Sequence, residues 1–362
     1  MAPCLEYPAE VAGLDLRELG EFGLIGALRR RAGRPGHPWR VAIGDDAAIL
    51  GLRSRADLSL TTDALIEGVH FRFETTSARA LGAKALRVNL SDLGAMGARP
   101  LGFLLSLGLP ADAAPETLLD FVSGLLRCAR QTGCPLVGGD TVAAPVWTLG
   151  ITAVGALPPG RALRRDAARP GQRVWVTGSL GGAALGLRLL ESGAVGPGDA
   201  GFVRRQCSPD PPLQAGPKLL RGGLATAAID VSDGLLQDLG HLARESGVAV
   251  ELDLGRLPLA RGLRRRAGEL GLDPIELALS GGEDYELAFT APARGPGAAA
   301  LARRLACPVR EIGRIHAGRG VRLVEAGRGG GREPGASDRS DRARAAIPGW
   351  NHFKTSGGRS EA

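Results

Sequence analysis

The sequence predicts an α/β protein of two domains, and three observations carry that reading. Short apolar runs with strand-like composition alternate with stretches of helical periodicity along most of the chain. A Pro-Pro-Gly break, ALPPGRAL at residues 156–163, interrupts the alternation near its middle. The 362 residues suffice for two ordinary cores.

Taken in order, strand-like runs fall at residues 41–50, 58–65, 102–109 and 146–157, separated by helical patterns near 77–96 and 115–132. The first domain is placed at 1–157 and the second at 158–324, divided at the Pro-Pro-Gly connector. The second domain opens with a strand, RVWVTG, and a glycine-rich turn, SLGGAALGL, and continues through strands such as VAVELDL and YELAFT. Residues 325–346 lack periodic apolar positions and are rich in Gly, Arg, Asp and Ser, a composition expected to stay disordered. Residues 347–354 return to aromatics in GWNHF, and are expected to dock back onto the second domain because exposed aromatic rings gain nothing in water.

Composition excludes several function classes. The formal charge is +7, yet only three of the 45 basic residues are lysine (Lys84, Lys218 and Lys354) and the arginines are scattered. Aromatic residues are 4% and none interleaves with a basic run, so no base-stacking surface is indicated and no nucleic-acid partner is expected. The five cysteines include no CxxC pair, which removes a structural zinc site and a disulfide framework and fits a reducing cytoplasm. No secretory signal is visible and no stretch approaches eighteen apolar residues, so no membrane association is expected.

The informative feature is a set of aspartates inside apolar or glycine-rich sequence. IGDDAAIL carries Asp45 and Asp46, TTDALIEGVHF carries Asp63, NLSDLGAMG carries Asp92, VGGDTV carries Asp140 at a strand end, and IDVSDGLL carries Asp230 and Asp233. Each alone has an ordinary explanation: Asp45 can begin a turn after Gly44, and Asp233 with Ser232 can cap a helix. Together they make an oxygen-only set whose mutual repulsion needs neutralising, and with no His or Cys cluster that chemistry points to a hard cation such as magnesium. In AKALRVNLSDLGAMG, Lys84, Val88 and Asp92 recur every four residues on one helix face, away from the face of Leu86, Leu90 and Leu93. Glycines in VGGD, TGSLGG and SGGED let backbone amides approach an anion. The GxxxxGK[ST] loop and the HRD loop are absent, so an ATP enzyme of this kind holds its nucleotide through aspartate-bound metal.

The strings GEFGLI, GDDAAIL, TTDALIEGVHF, KALRVNLSDLGAMGARP, VGGDTV, GRALRRDAARPGQRVWVTGSLG, IDVSDGLLQDLGHLA, LSGGEDYELAF, EIGRI and GWNHF, in this order, resemble the thiamine-monophosphate kinase family. That family lies within the superfamily of aminoimidazole ribonucleotide synthetase-like ATP enzymes. The resemblance runs from about residue 20 to residue 353. It implies a two-domain fold that forms a homodimer through the sheet of its first domain. It further implies ATP-dependent phosphorylation of thiamine monophosphate to thiamine diphosphate, the last step of thiamine diphosphate biosynthesis, by direct in-line transfer with several magnesium ions. On the same footing, Asp46, Thr61, Thr62, Asp63, Asp92, Asp140, Asp230 and Asp233 match magnesium-binding positions, and Asp46, Asp63, Asp92 and Asp230 are the catalytic set. Gly139, Arg165 and Ser232 match positions that contact ATP, as does Asp140, and His70, Glu283 and Trp350 match positions that contact the thiamine substrate. Asp45 falls outside the set and is expected to be a turn group or a support for the metal ligands.

Two departures stand out. The stretch RQCSPDPP at 205–212 replaces the commoner Arg-His-x-Arg-Pro-x-Pro-Arg, and no function is transferred to it. Gly182 replaces an aspartate in the usual Leu-Gly-Asp. Rival readings are a relative acting on another acceptor, such as selenophosphate synthetase or the hydrogenase-maturation carbamoyl dehydratase, and a catalytically silent nucleotide-binding protein. Cys4 lacks a lysine neighbour and the chain ends GGRSEA rather than in cysteine, against the first two. Intact aspartates at every matched position oppose the third.

Overall fold

The computed structural model describes residues 39–41, 45, 48–51 and 56–325. The expectations for Asp46, for residues 326–346 and for the GWNHF segment with Trp350 fall outside the described residues.

The first sheet is built from β1 (Trp39–Val41), β2 (Ala48–Gly51), β3 (Asp57–Ile66), β4 (Arg99–Leu109), β5 (Leu136–Ala143) and β6 (Thr148–Leu157), in spatial order β1-β2-β3-β6-β4-β5. Neighbours are antiparallel except β4 and β5. The run at 41–50, expected as a single strand, folds back on itself. Trp39 pairs with Leu50 and Val41 with Ile49, so the described part of the run is divided between the end of β1 and the antiparallel β2. Strand β5 continues through Asp140, where the sequence placed a strand end.

Two helices cover this sheet, α1 (Ala78–Ala95) and α2 (Pro115–Thr132), close to the predicted spans. Ser77 caps α1 by accepting from the Ala80 N–H, and Pro115 opens α2, which ends at Gly133 in the left-handed conformation. The helices meet backbone to backbone through reciprocal glycines. A Cβ at Gly82 would lie 2.0 Å from the Phe121 carbonyl oxygen, and one at Gly124 would lie 1.9 Å from that of Arg79.

The second sheet contains β7 (Arg173–Thr177), β8 (Ala227–Val231), β9 (Ala249–Asp253), β10 (Glu286–Ala291), β11 (Val309–His316) and β12 (Gly320–Val324), in order β12-β9-β11-β7-β10-β8. Its helices are α3 (Gly182–Ser192), α4 (Ala200–Cys207), α5 (Ala215–Gly222), α6 (Leu235–Ser246), α7 (Leu263–Glu269), α8 (Pro274–Ser280) and α9 (Ala298–Leu305). Strand β8 ends the sheet, yet all five of its residues are buried because α1 of the first domain packs on it. One apolar core therefore runs across both domains, joining Leu86, Leu90 and Leu93 of α1 to Trp175, Ala228, Leu287 and Phe289.

Thirteen of the eighteen residues of α1 are buried, Lys84 and Val88 among them, so the stripe that lies away from the leucine face is covered by the second domain.

The glycine contact yields a stability prediction. Gly→Ala within a helix ordinarily stabilises by up to about 1 kcal/mol. Gly82→Ala or Gly124→Ala should instead destabilise by about 1–3 kcal/mol through overpacking, and lower activity as well, because α1 carries Asp92. Gly240→Ala on α6, where a Cβ meets nothing within 4 Å, is the neutral-to-stabilising control. Denaturant titration of the three variants checks the difference in sign.

Candidate active site

Four elements deliver carboxylates or their supports to one point between the domains. Side chains alternate along β3, so Thr61 and Asp63 share the face toward α1 while Thr62 points to the other face, where its hydroxyl accepts from that of Thr152 at 3.1 Å. From α1, Asp92 accepts from the Thr61 hydroxyl at 2.5 Å, and Asn89 accepts the Asp63 N–H at 3.1 Å. From β8, Asp230 accepts from Ser91 of α1 at 2.7 Å, a bond that crosses between the domains. Asp233 follows in the loop before α6 and accepts from Gln237 at 3.1 Å.

Electrostatics show how close these groups stand. Burial, and then the charges of Asp230 and Asp233, push Asp63 up to about 7. Burial, and then Asp63 and Asp230, push Asp92 well above the usual carboxylate range. Asp230 is also raised by burial, against the pull of Ser91 and Arg165. Tyr285 is driven well above its ordinary value by burial and by the surrounding acids, Glu283 and Asp63 first among them. All the donors are oxygens, the donor set of a hard divalent cation, so Thr61, Asp63, Asp92, Asp230 and Asp233 fit magnesium.

The loop after β8 is shaped by a residue that sequence reading passed over. Asp238 is buried and its carboxylate accepts the backbone N–H of Ser232 at 3.1 Å and of Gly234 at 3.2 Å. Gly234, rather than Ser232 or Asp233, thus stands at the N-cap of α6. Asp233, Asp238 and His241 each offer one ligand atom within 4.8 Å of the others. Burial, then Arg244 and Arg165, hold His241 down to about 3, so it is a neutral donor. The available signal was the i, i+3 spacing of Asp238 and His241 on one helix face directly after VSDG.

Arg165 and Asp45 explain each other. The Arg165 N–H donates to Asp45 at 3.2 Å and its side chain pairs with the same carboxylate at 3.7 Å. Burial raises Asp45 to about 7 in spite of that arginine. Asp45 of the first domain thereby anchors the segment that enters the second, and Arg165 also lowers the proton affinity of Asp230.

Glu283 lies in the loop before β10 with φ +56° and donates its N–H to Ser232 at 2.7 Å. Its carboxylate pairs with Lys84 at 2.7 Å and accepts from the Gln206 amide. The next residue, Asp284, faces the other way and accepts the N–H groups of Gly181 at 2.7 Å and Ala183 at 3.3 Å, closing the N-terminus of α3. At the departure Gly182, a Cβ would lie 2.5 Å from Cδ of Arg205, whose guanidinium donates to Ser179 Oγ at 2.9 Å. The glycine leaves room for that arginine. His70 sits in the turn after β3, where its Nδ1 accepts the Ile66 N–H at 3.0 Å.

Gly139 and Asp140 are not brought to this cluster within one chain. Strand register aligns Gly139 with Leu105, Ile151 and Asp63, which puts three strand spacings, about 14 Å, between residues 139 and 63. A Cβ at Gly139 would lie 1.9 Å from the Leu105 carbonyl oxygen, so β4 itself requires glycine there. Asp140 is exposed and accepts the N–H of Thr141 at 2.9 Å.

Comparison with known proteins matches these features to a family. The AIR synthase related protein N-terminal domain matches residues 44–157 and the corresponding C-terminal domain matches 169–325. The chain is 39% identical to the thiamine-monophosphate kinase of Escherichia coli strain K12 over 306 residues, covering 82% of this chain and 91% of the relative. It is 34% identical to that of Aquifex aeolicus over 342 residues, covering 94% and 100%. A solved structure of AaThiL complexed with AMPPCP and TMP superposes with a TM-score of 0.79 at 34% identity, covering 94% of this chain and 99% of that one. With two AIR synthase-related domains and this level of identity along nearly its whole length, the chain belongs to the thiamine-monophosphate kinase family.

Proposed function

We propose that the chain transfers the terminal phosphoryl group of ATP to the phosphate of thiamine monophosphate, giving thiamine diphosphate and ADP, with several magnesium ions at the acidic cluster. The observation that carries this reading is the convergence of Asp63, Asp92, Asp230 and Asp233 from both domains, each buried or half-buried, the first three with raised proton affinity. Such a set is costly in an apo core and useful only around a cation. Magnesium, when bound, offsets the charge of the triphosphate and of the moving phosphoryl group.

The chain's own residues supply orientation. The Thr61 hydroxyl turns Asp92, Ser91 turns Asp230, and Asp238 holds the Ser232–Gly234 backbone so that Asp233 faces the cluster. The acceptor phosphate has a second pKa of about 6 and is largely ionised at neutral pH, so no general base is required. Alignment for in-line attack then replaces covalent catalysis. Asp46, Thr62 and Asp140 stay in the proposed ligand set, Gly139, Arg165 and Ser232 in the proposed ATP contacts, and His70, Glu283 and Trp350 in the proposed thiamine contacts, on the family resemblance. A homodimer through the first sheet is part of the same reading. What supports it is the edge strand β5, exposed along its length with Val137 64% and Val142 54% accessible, beside Leu104 of β4 at 43%. Among the described residues no helix is long and apolar enough to cross a membrane, and a cytoplasmic location is proposed.

Purified protein given ATP, magnesium and thiamine monophosphate should form thiamine diphosphate, detected by chromatography; ATP binding with no such product would turn the assignment to another acceptor. Asp63→Asn should lower kcat by at least about a thousandfold. Its melting temperature should stay the same or rise, since a repelling charge has gone. Near wild-type turnover at saturating magnesium would remove Asp63 from the ligand set.

The raised carboxylates also fix the pH dependence of the metal-free protein. Asp63 titrates near 7 when folded and near 3.8 in its reference state, so the native state retains a proton that the unfolded chain gives up. That contribution is full below about pH 4 and is lost as pH rises through about 7. In EDTA, Tm should therefore fall between pH 5.5 and pH 8, and magnesium should restore more of it at pH 8. A flat profile, or equal magnesium shifts at both pH values, would contradict the cluster.

For the assembly, light scattering should give twice the chain mass, and Val142→Asp should shift the protein toward monomer. Wild type eluting as a monomer at micromolar concentration would discard the dimer.

A further inference from the structure

Lys84 is one of three lysines among 45 basic residues, and it is buried, with a side chain 4% exposed. An ammonium group so far from water must be paired and hydrogen-bonded. Its Nζ lies 2.7 Å from Glu283 Oε1 and donates to the Gln206 carbonyl at 3.1 Å, so a helix of the first domain grips two segments of the second. Gln206 closes the triangle, because its side-chain amide donates to the other oxygen of Glu283. The remaining amide atom, Gln206 Oε1, is buried without a hydrogen-bond partner among the described residues, so the side chain commits its polar contact to Glu283.

The neighbourhood shows that holding Glu283 is the outcome. One turn along α1, Arg87 donates to Ser208 Oγ at 3.0 Å and to the Pro209 carbonyl at 2.9 Å, so residues 206–209 are clasped to the same helix. Glu283 and Tyr285 adopt φ +56° and +49°, a conformation that side chains with a Cβ resist and keep only where their surroundings impose it. Both Glu283 oxygens are held, yet its side chain remains 29% exposed, leaving acceptor capacity for a further donor. A compact ammonium meets one carboxylate oxygen and one carbonyl where a planar guanidinium would need a wider slot, which accounts for lysine in an arginine-rich chain.

We propose that Lys84 is a positioning residue for the acceptor substrate: with Gln206 it fixes the Glu283 carboxylate, across the domain boundary, to receive a hydrogen-bond donor of the aminopyrimidine end of thiamine monophosphate. This rests on the contact between Glu283 and thiamine proposed above. Residues 205–212, to which sequence resemblance assigned nothing, become half of the device, and recognition of the acceptor depends on both domains being in place.

The test is a double-mutant cycle on the full-length protein with magnesium-ATP and thiamine monophosphate. Lys84→Met and Glu283→Gln should each raise KM for thiamine monophosphate at least about tenfold while KM for ATP stays within about twofold. Lys84→Met/Glu283→Gln should be no worse than Glu283→Gln alone, because Lys84 acts through that carboxylate. If Lys84→Met fails to fold with Glu283 stranded, the double variant removes the stranded charge and is compared with Glu283→Gln directly. Multiplicative losses in the double variant, or a lowered Tm in Lys84→Met with KM for thiamine monophosphate unchanged, overturn the inference and leave Lys84 a structural clasp. Glu283→Gln with unchanged KM for thiamine monophosphate removes the Glu283 contact itself, and the inference with it. A Glu283 effect without a Lys84 effect removes only the inference.

Discussion

Mutual repulsion among Asp63, Asp92, Asp230 and Asp233 is the constraint around which the described structure is arranged. Burial first, and then the neighbouring carboxylates, raise the proton affinity of Asp63 and Asp92. A fold keeps such a set together only by spending hydrogen bonds and packing on it. Thr61, Ser91 and Asn89 each give a side-chain bond to the cluster or to its backbone, and two of the three sit on α1. The same excess of negative charge is what the cation of the proposed reaction would neutralise.

Helix α1 is the element both domains share. It lies against β3, β4 and β6 of one sheet and β8 of the other, and its residues belong to one continuous core. Reciprocal glycines at 82 and 124 set how close it approaches α2. Its polar stripe is then read from the second domain: Lys84 by Glu283 and Gln206, Arg87 by Ser208 and Pro209, Ser91 by Asp230. The geometry of the acidic cluster is therefore an interdomain property, and a change in the seating of α1 reaches Asp63, Asp92 and Asp230 together.

The acidic loops of the second domain follow a shared logic in which consecutive residues serve opposite sides. Glu283 faces the cleft, Asp284 closes α3, and Glu286 accepts from Thr177 at 2.7 Å within the sheet. Asp230 and Asp238 divide labour in the same way, one toward the cleft and one toward the loop backbone. From sequence alone these acids look alike, because burial and partners, rather than residue type, separate a ligand from a support.

The sequence by itself determined the α/β class, the positions of α1 and α2 and most strands, and the identity of the acids, because periodicity and buried-looking aspartates are local signals. Three features have causes that are not local. The run at 41–50 is divided between two strands because Val41 pairs back onto Ile49. The Lys84 stripe was legible as a separate helix face, but nothing in the helix says that a second domain covers it. Asp45 was open between a turn group and a support for the metal ligands because its partner, Arg165, is 120 residues away. Tertiary structure alone decided that the face of Thr61 and Asp63 meets α1, and that Asp140 stands three strands from Asp63 in its own chain. Strand register, domain packing and long-range pairing are relations between segments, and the free energy of burying charge is set only once those segments meet.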